Sequence, residues 1–174
     1  VEARIFTPVG VSRGMDASVV TSVMFDSRGF LWAASREGLY RYDGYDTEAF
    51  LPGPDLPVCI SDIDILFVYE DSAGIIWIAT NSSGVDRYDP LDGSFRNFSH
   101  DPGDPLSLSD NSVHAISEGP DGGLWIATRR GLSRLDPVSG KFQRFQHDPR
   151  DPASISNDWI LSLHFSASGR LWVG

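Results

Sequence analysis

The stretch Asp71–Thr80 reads DSAGIIWIAT, and variant or shortened forms of it recur at three other places in the sequence. Every copy has a tryptophan with a glycine three residues before it, and the four tryptophans are Trp32, Trp77, Trp125 and Trp172. Their spacings are 45, 48 and 47 residues. Repetition at a period of about 20–50 residues indicates a fold in which similar units lie side by side.

Each complete copy has room for four short strands. In the third copy, alternating apolar residues and Gly-containing turns predict strands at 113–118, 124–128, 132–135 and 142–145. Four strands within about 40–50 residues are typical of a β-propeller blade. No apolar spacing of three and four residues appears, so we predict an all-β fold of blades with four antiparallel strands.

The predicted blades leave the ring open. Residues 1–174 form one partial β-propeller domain of about three and a half blades. Blades are predicted at about residues 20–50, 63–98 and 113–145, with a partial blade at 160–174 and a closing outer strand within residues 1–9. Because open sheet edges expose unpaired backbone groups, we expect missing blades of the same protein or a second copy to complete the ring. Two such copies would form a seven-bladed homodimer.

The repeated side chains are predicted to be structural. The four tryptophans are expected to fill the seams between blades, because a blade buries its faces only against its neighbours. Arg41, Arg87 and Arg134 recur in register and are expected to bond to a turn or a neighbouring blade. His100 and His147 occupy the same linker phrase, which favours a role in a turn over metal binding.

Composition excludes several classes of partner. A net charge of −10 and a pI near 4.6 argue against binding to nucleic acid or to an anionic membrane surface. No apolar run approaches the roughly 18–20 residues of a membrane-spanning helix, so the membrane is reached only through segments absent from this sequence. The single cysteine, Cys59, cannot form an internal disulfide.

Catalytic and metal-binding signatures are not found. His114 and His164 have no ligand partner at metal-site spacing, and Cys59 has no activating neighbour in the sequence. No phosphate-binding glycine loop is present. We therefore predict no catalytic residues, no metal and no cofactor.

Ligand-binding candidates lie in two sets of loops that a propeller places on one face. These are the loop before each first strand and the turn between the second and third strands, where sequence varies while the blade stays rigid. The candidates are Arg36, Glu37, Asn81, Arg129, Arg130, Asn157, Asp158 and Trp159. Trp159 is the one tryptophan outside the repeat register; beside Asp, Asn and Arg, it suits the apolar face and hydroxyls of a sugar. The alternative is that Trp159 packs under the linker while Asn157 or Asp158 caps a turn.

These motifs resemble the two-component regulator propeller repeat. The resemblance rests on Asp71–Thr80, on Gly84–Asp89 (GVDRYD) and on the linkers His100–Asn111 and His147–Asp158, and it extends from about Arg4 to Gly174. The third and fourth copies depart from the pattern, with Gly119 and Ser166 where an aspartate is expected. The opening residues 4–9 resemble the outer strand that closes a propeller's last blade.

The resemblance implies that this chain is part of a large bacterial sensor protein. Members of the family have paired seven-bladed propellers outside the cytoplasmic membrane, followed by a membrane helix and a histidine kinase or diguanylate cyclase, and some sense oligosaccharides. The implied role is a non-enzymatic, periplasmic or extracytoplasmic ligand-sensing module of an inner-membrane protein. A protein–protein interaction scaffold and a polysaccharide hydrolase or lyase are the alternatives.

Overall fold

The computed structural model describes residues 18–53, 59–136 and 138–174, and every regular element within them is a β-strand. Three four-stranded antiparallel sheets follow chain order, and a two-stranded hairpin comes after them. The prediction of an all-β fold with four-stranded antiparallel blades is therefore confirmed. The closing strand predicted within residues 1–9 lies outside the described residues.

Each sheet is one blade of the repeat. Blade 1 contains β1 (Val20–Phe25), β2 (Leu31–Ser35), β3 (Gly38–Tyr42) and β4 (Thr47–Phe50). Blade 2 contains β5 (Ile65–Glu70), β6 (Ile76–Thr80), β7 (Val85–Asp89) and β8 (Ser94–Phe98). Blade 3 contains β9 (Val113–Glu118), β10 (Leu124–Thr128), β11 (Gly131–Asp136) and β12 (Lys141–Phe145). The hairpin of blade 4 contains β13 (Leu163–Phe165) and β14 (Leu171–Val173).

The aspartate of the repeated stretch closes the first hairpin of blades 1 and 2. Asp71 Oδ1 accepts hydrogen bonds from two backbone N–H groups of its own turn, at 3.0 and 2.9 Å. Its Oδ2 accepts a third from Trp77 Nε1 at 2.7 Å. Asp26 and Trp32 repeat the arrangement at 2.9 Å. One carboxylate thus joins the turn to the second strand, which explains the fixed spacing of Asp and Trp.

Blade 3 holds its tryptophan in another way. Gly119 replaces the aspartate, and a Cβ at that position would lie 3.1 Å from Trp125 Nε1. Asp121 instead accepts a hydrogen bond from Arg134 Nη2 at 2.5 Å. The Arg134 guanidinium carbon lies 5.9 Å from the centre of the Trp125 ring. An ion pair with the turn therefore takes the place of the carboxylate–indole bond.

The three repeated arginines pair within their own blades. Arg134 bonds to a turn, as predicted, and Arg87 pairs with Asp89 at the end of β7 at 3.0 Å. Arg41 pairs with Glu48 on the adjacent strand β4 at 2.5 Å, so the expectation of a turn or a neighbouring blade is wrong for Arg41. The cause is the register, which places these two side chains opposite each other.

Tryptophans fill the seams between consecutive blades wherever two described blades meet. Trp32 is fully buried and lies 5.8 Å from the Tyr88 ring of blade 2. Trp77 is 3% exposed in the core that joins blades 2 and 3, and Trp125 lies 6.4 Å from the ring of Phe165 in blade 4. In the fourth copy, Trp172 is 58% exposed, because no described sheet lies on the outer side of β14.

Hydrogen bonds between a serine of one blade and a glutamate of the next stabilise the seams near the first hairpin. The Glu118 carboxylate of blade 3 accepts hydrogen bonds from Ser72 N at 2.7 Å and from Ser72 Oγ at 2.6 Å. Glu70 of blade 2 accepts the same pair of bonds from Ser27 of blade 1. Neighbouring blades are thus fixed relative to each other by apolar packing and by charge-assisted hydrogen bonds.

Candidate functional site

Two loops that share a His-Asp-Pro sequence motif lie on the face of the propeller that carries the candidate residues. We call residues 100–111 the blade-3 linker and residues 147–158 the blade-4 linker. His100 N–H donates to Asn111 Oδ1 at 2.6 Å, and His100 Nδ1 lies 2.7 Å from the Leu108 carbonyl oxygen. His147 makes the same two contacts in its linker, at 2.6 and 2.8 Å. Both histidines therefore fold a loop, as the sequence predicts.

A groove of about 470 Å³ lies on this face between blades 2 and 3. Three predicted residues, Asn81, Arg129 and Arg130, line it. They lie in the turns between the second and third strands of their blades. Each turn begins with a backbone N–H that bonds to the loop before the first strand: Asn81 N donates to Asp64 O at 3.0 Å, and Arg129 N donates to Ser112 O at 3.1 Å. This pairing aligns the two kinds of loop at one surface.

Four further residues line the groove, and they are Ser82, Asp110, Asn111 and Ser112. Sequence reasoning missed Asp110 and Ser112 as candidates. The signal was present, because SDNSV at 109–113 aligns with SDIDI at 61–65, whose Asp62 and Asp64 lie in the corresponding loop of blade 2.

The groove is lined by two arginines and one aspartate, a small excess of positive charge within an acidic protein. Arg130 is paired loosely, since its Nε lies 3.6 Å from Asp110 Oδ2 and its side chain is 72% exposed. No carboxylate of the described residues lies within ion-pair distance of Arg129. Two guanidinium groups are thus available to an anion in the groove.

Trp159 stands beside the groove with 57% of its surface exposed. The Arg129 guanidinium carbon lies 5.5 Å from the centre of its ring, a cation–π arrangement. The alternative in which Trp159 packs under the linker is wrong, because the ring lies against Arg129 and solvent. Ile160, the next residue, is the one buried there, with 1% of its surface exposed.

Asn157 and Asp158 use side-chain oxygens to hold the backbone. Asn157 Oδ1 accepts a hydrogen bond from Trp159 N at 2.8 Å, and Asp158 Oδ1 accepts one from His147 N at 2.6 Å. Both are capping contacts, so the part of the alternative in which Asn157 or Asp158 caps a turn is confirmed. These two residues therefore orient Trp159 and close the blade-4 linker, and they do not line the groove.

Arg36 and Glu37 lie in the corresponding turn of blade 1 and do not line the groove either. Glu37 Oε1 accepts a hydrogen bond from Ser18 Oγ. Glu37 Oε2 is buried, with no partner among the described residues. The structure thus brings together Asn81, Arg129, Arg130 and, at the rim, Trp159.

The sequence and the architecture match known proteins. Residues 107–130 match the two-component regulator propeller family. The matched stretch covers the end of the blade-3 linker and strands β9 and β10. The extracellular domain of a putative hybrid two-component system from B. thetaiotaomicron is 30% identical, with a TM-score of 0.87 over 97% of this chain. This chain spans 23% of the length of that domain.

More distant structures share only the fold. Virginiamycin B lyase from Staphylococcus aureus is 16% identical, with a TM-score of 0.66, over 88% of this chain and 48% of the lyase. A putative gluconolactonase is 16% identical, with a TM-score of 0.59, over 87% of this chain and 55% of that one. The comparison with curated proteins finds no match.

Histidines in the propeller repeats make structural contacts. His114 Nδ1 lies 2.9 Å from the Ile160 carbonyl oxygen in blade 4, and its Nε2 lies 3.2 Å from Ser112 Oγ. The bond to Ile160 crosses a seam and fixes the approach to β13. Within the described ranges, no three His, Cys, Asp or Glu side chains are grouped to hold a metal ion, and no helix could cross a membrane.

One carboxylate of the propeller repeats is deeply buried. Asp86 on β7 is 1% exposed and accepts hydrogen bonds from Ser61 N at 2.7 Å and from Asn97 Nδ2 at 2.8 Å. Burial raises the pKa of Asp86, and these hydrogen bonds oppose the rise. Asp86 therefore holds the loop before β5 in place from inside the blade.

Proposed function

We propose that this chain is a ligand-sensing, non-enzymatic segment of the extracytoplasmic region of a bacterial two-component receptor. Support comes from the repeats and from the likeness to the extracellular domain of a putative hybrid two-component system. The output domain, a histidine kinase or diguanylate cyclase, is implied by the family resemblance. Binding transmits a signal only if the ligand favours one arrangement of the receptor over another.

The groove between blades 2 and 3 is the proposed ligand site. The observation that carries this proposal is the pair of available guanidinium groups, Arg129 and Arg130, beside the exposed ring of Trp159. An aromatic ring accommodates the apolar face of a sugar, and arginine binds carboxylate or sulfate through two parallel hydrogen bonds. We therefore propose an oligosaccharide with an acidic group as the ligand class.

Titration calorimetry with a uronic-acid oligosaccharide and a neutral oligosaccharide of equal length tests the site. We expect the acidic sugar to bind more tightly, and Arg129→Ala to weaken its binding by about tenfold or more through loss of a charge-assisted contact. Trp159→Ala should weaken binding of both sugars, because stacking does not depend on the acidic group.

Arg170→Ala is the matched control, because Arg170 is exposed on the β13–β14 turn, away from the groove. This variant should bind both sugars as the unchanged protein does. Equal binding of the two sugars, or equal losses in Arg129→Ala and Arg170→Ala, would contradict the proposed ligand class.

A further inference from the structure

The seam between blades 2 and 3 contains a second cavity, at the opposite end of β6 from the groove. The groove lies at the turn that follows Thr80, the last residue of β6, whereas Ile75 and Trp77, where β6 begins, line the second cavity. Blade 3 contributes Leu135 and Gly140 to its lining, and its volume is about 230 Å³. We call it the seam pocket. Both blades that form it have all four strands.

Apolar side chains make up much of the lining of the seam pocket. Ile75, Trp77 and Leu135 are almost completely buried. Phe98 lies beside them, with its ring centre 5.9 Å from that of Trp77. An apolar group that enters the pocket therefore leaves water for contact with aromatic and aliphatic carbon, which is favourable.

Two arginines on adjacent strands of blade 2 line the same pocket. Arg87 on β7 and Arg96 on β8 lie directly opposite each other in the register. Like charges in this arrangement repel each other. Arg87 is paired with Asp89 at 3.0 Å, but no carboxylate of the described residues lies within ion-pair distance of Arg96. The charge of Arg96 is therefore left without a counterpart in the described part of the chain.

The corresponding positions of blades 1 and 3 do not hold two arginines. Arg41 lies opposite Glu48 and forms an ion pair with it. Arg134 lies opposite Gln143 and pairs with Asp121. A blade of this protein can thus be built with an anion or a neutral amide at this place on its fourth strand. The second guanidinium of blade 2 is not a requirement of the repeat.

Asp71 also lines the seam pocket, but it does not pair with Arg96. Its Oδ1 accepts hydrogen bonds from Ala73 N and Ile75 N at 3.0 and 2.9 Å, and its Oδ2 accepts one from Trp77 Nε1 at 2.7 Å. Both carboxylate oxygens are therefore held by the first hairpin of blade 2.

The donors of the Arg96 guanidinium are available to a ligand. The guanidinium carbon lies 4.5 Å from the centre of the Phe98 ring, a cation–π arrangement. A Cβ at Gly140 would lie 3.3 Å from Arg96 Nη2, so the absence of a side chain there leaves room beside the guanidinium. None of the residues that the structure describes accepts a hydrogen bond from it.

We propose that the seam pocket binds a small organic carboxylate. The carboxylate accepts two parallel hydrogen bonds from the Arg96 guanidinium, and the apolar group of the ligand packs against the buried side chains of the seam. The ligand's negative charge then has the role in blade 2 that Glu48 has in blade 1. Because residues of both blades line the pocket, binding stabilises the packing of blade 2 against blade 3.

Nuclear magnetic resonance titration of the full chain with benzoate tests this site. Benzamide, which has the same ring without the charge, is the neutral probe. We expect benzoate at millimolar concentration to shift the resonances of the Arg96 Nε–H and the Trp77 indole N–H, and benzamide to leave them unchanged. Sulfate has the charge without an apolar group, so it should bind about tenfold more weakly than benzoate.

Two variants borrow the residue types of the other blades. Arg96→Gln introduces the residue type of blade 3 and should weaken benzoate binding by about tenfold or more, through loss of charge-assisted hydrogen bonds. Arg96→Glu introduces the residue type of blade 1, whose carboxylate should pair with Arg87 and abolish binding. Arg170→Gln is the matched control, because it removes the same charge from the exposed β13–β14 turn.

Arg129→Ala separates the seam pocket from the groove. Arg129 lines the groove and not the seam pocket, so the shifts that benzoate causes at Arg96 and Trp77 should be unchanged in this variant. The assignment is overturned if benzoate causes no shift, if benzamide or sulfate binds as tightly as benzoate, or if Arg96→Gln and Arg170→Gln weaken binding equally. It is also overturned if Arg129→Ala abolishes the shifts while Arg96→Gln preserves them.

Discussion

Asp71 shows how one side chain can fix a repeat. Its two carboxylate oxygens accept three hydrogen bonds, two from the turn and one from the Trp77 indole. Trp77 is 3% exposed, so its N–H has no water to replace a lost partner. An unsatisfied buried donor costs about 1–3 kcal/mol. The aspartate therefore stabilises the seam through the tryptophan as well as through the turn.

Asp71→Ala is expected to lower the free energy of unfolding by about 2–3 kcal/mol, because the indole N–H loses its acceptor and the turn loses its cap. Urea denaturation followed by tryptophan fluorescence measures the change. Asp92→Ala is the control, since exposed Asp92 caps only the turn before β8, and its effect should be under about 1 kcal/mol. Equal losses in the two variants would contradict the role given to the indole bond.

Two aspartates are expected to affect the pH dependence of stability in opposite directions. Burial raises the pKa of Asp86 above its ordinary value of 3.8, so the folded state binds this proton more tightly than the unfolded state. The contribution of Asp86 to stability is therefore present at low pH and is lost as the pH rises above 3.8. In Asp136, hydrogen bonds from the backbone N–H groups of Val138 and Ser139 lower the pKa. Its contribution is present above the ordinary value and is lost as the pH falls.

Asp86→Asn and Asp136→Asn test this expectation through unfolding free energies measured across the acidic range. In the unchanged protein, Asp86 makes the free energy of unfolding fall as the pH rises, and Asp86→Asn should lack this fall. Asp136 makes the free energy of unfolding fall as the pH is lowered, and Asp136→Asn should lack that fall. If both variants shift the pH profile in the same direction, the opposite pKa shifts are contradicted.

Single strands and turns of this fold were predictable from local sequence, whereas the contacts between residues of different blades were not. Strand β10 follows from alternation and from the glycine-containing turn before it, because backbone geometry acts over a few residues. The contact between Arg129 and Trp159 joins residues in different blades, so it depends on how the blades stack. Trp172 occupies the same position in its repeat as Trp32, but Trp172 is exposed and Trp32 is buried, because no described sheet packs against Trp172.

At the scale of two neighbouring elements, the hydrogen bonds between Ser72 and Glu118 should stabilise the packing of blade 2 against blade 3. A double-mutant cycle with Ser72→Ala and Glu118→Ala is expected to give a coupling energy of about 1 kcal/mol, measured by chemical denaturation. Ser72→Ala with Glu70→Ala is the control cycle, because Glu70 bonds to Ser27 and not to Ser72. Equal coupling in the two cycles would argue against a direct bond.

The two ends of the blade array present apolar surface of the kind that seams bury. Val23 and Phe25 of β1 are 63% and 72% exposed, whereas Val68, the counterpart of Val23 in blade 2, is 2% exposed. Trp172 is 58% exposed at the other end. Burial of such side chains is favourable by about 1.5–3 kcal/mol each. The apolar side chains at one end of the array are therefore expected to pack against an apolar surface of the kind that the other end presents.

We propose that two copies of this chain associate through these ends, which would close a ring if both ends engage. Sedimentation velocity should reveal dimers, and Val23→Glu should shift the population to monomers, because a charge cannot be buried unpaired in a seam. Leu91→Glu is the matched control: Leu91 is 91% exposed in the turn between β7 and β8, outside the seams.

Trp172→Ala distinguishes two kinds of dimer. In a closed ring, β1 of one copy contacts the blade-4 end of the other copy, whereas in an open dimer the β1 strands of the two copies contact each other. A head-to-tail ring is weakened by Trp172→Ala and by Val23→Glu alike, whereas a β1-to-β1 dimer responds only to Val23→Glu. A chain that stays monomeric at high concentration would contradict association through either end.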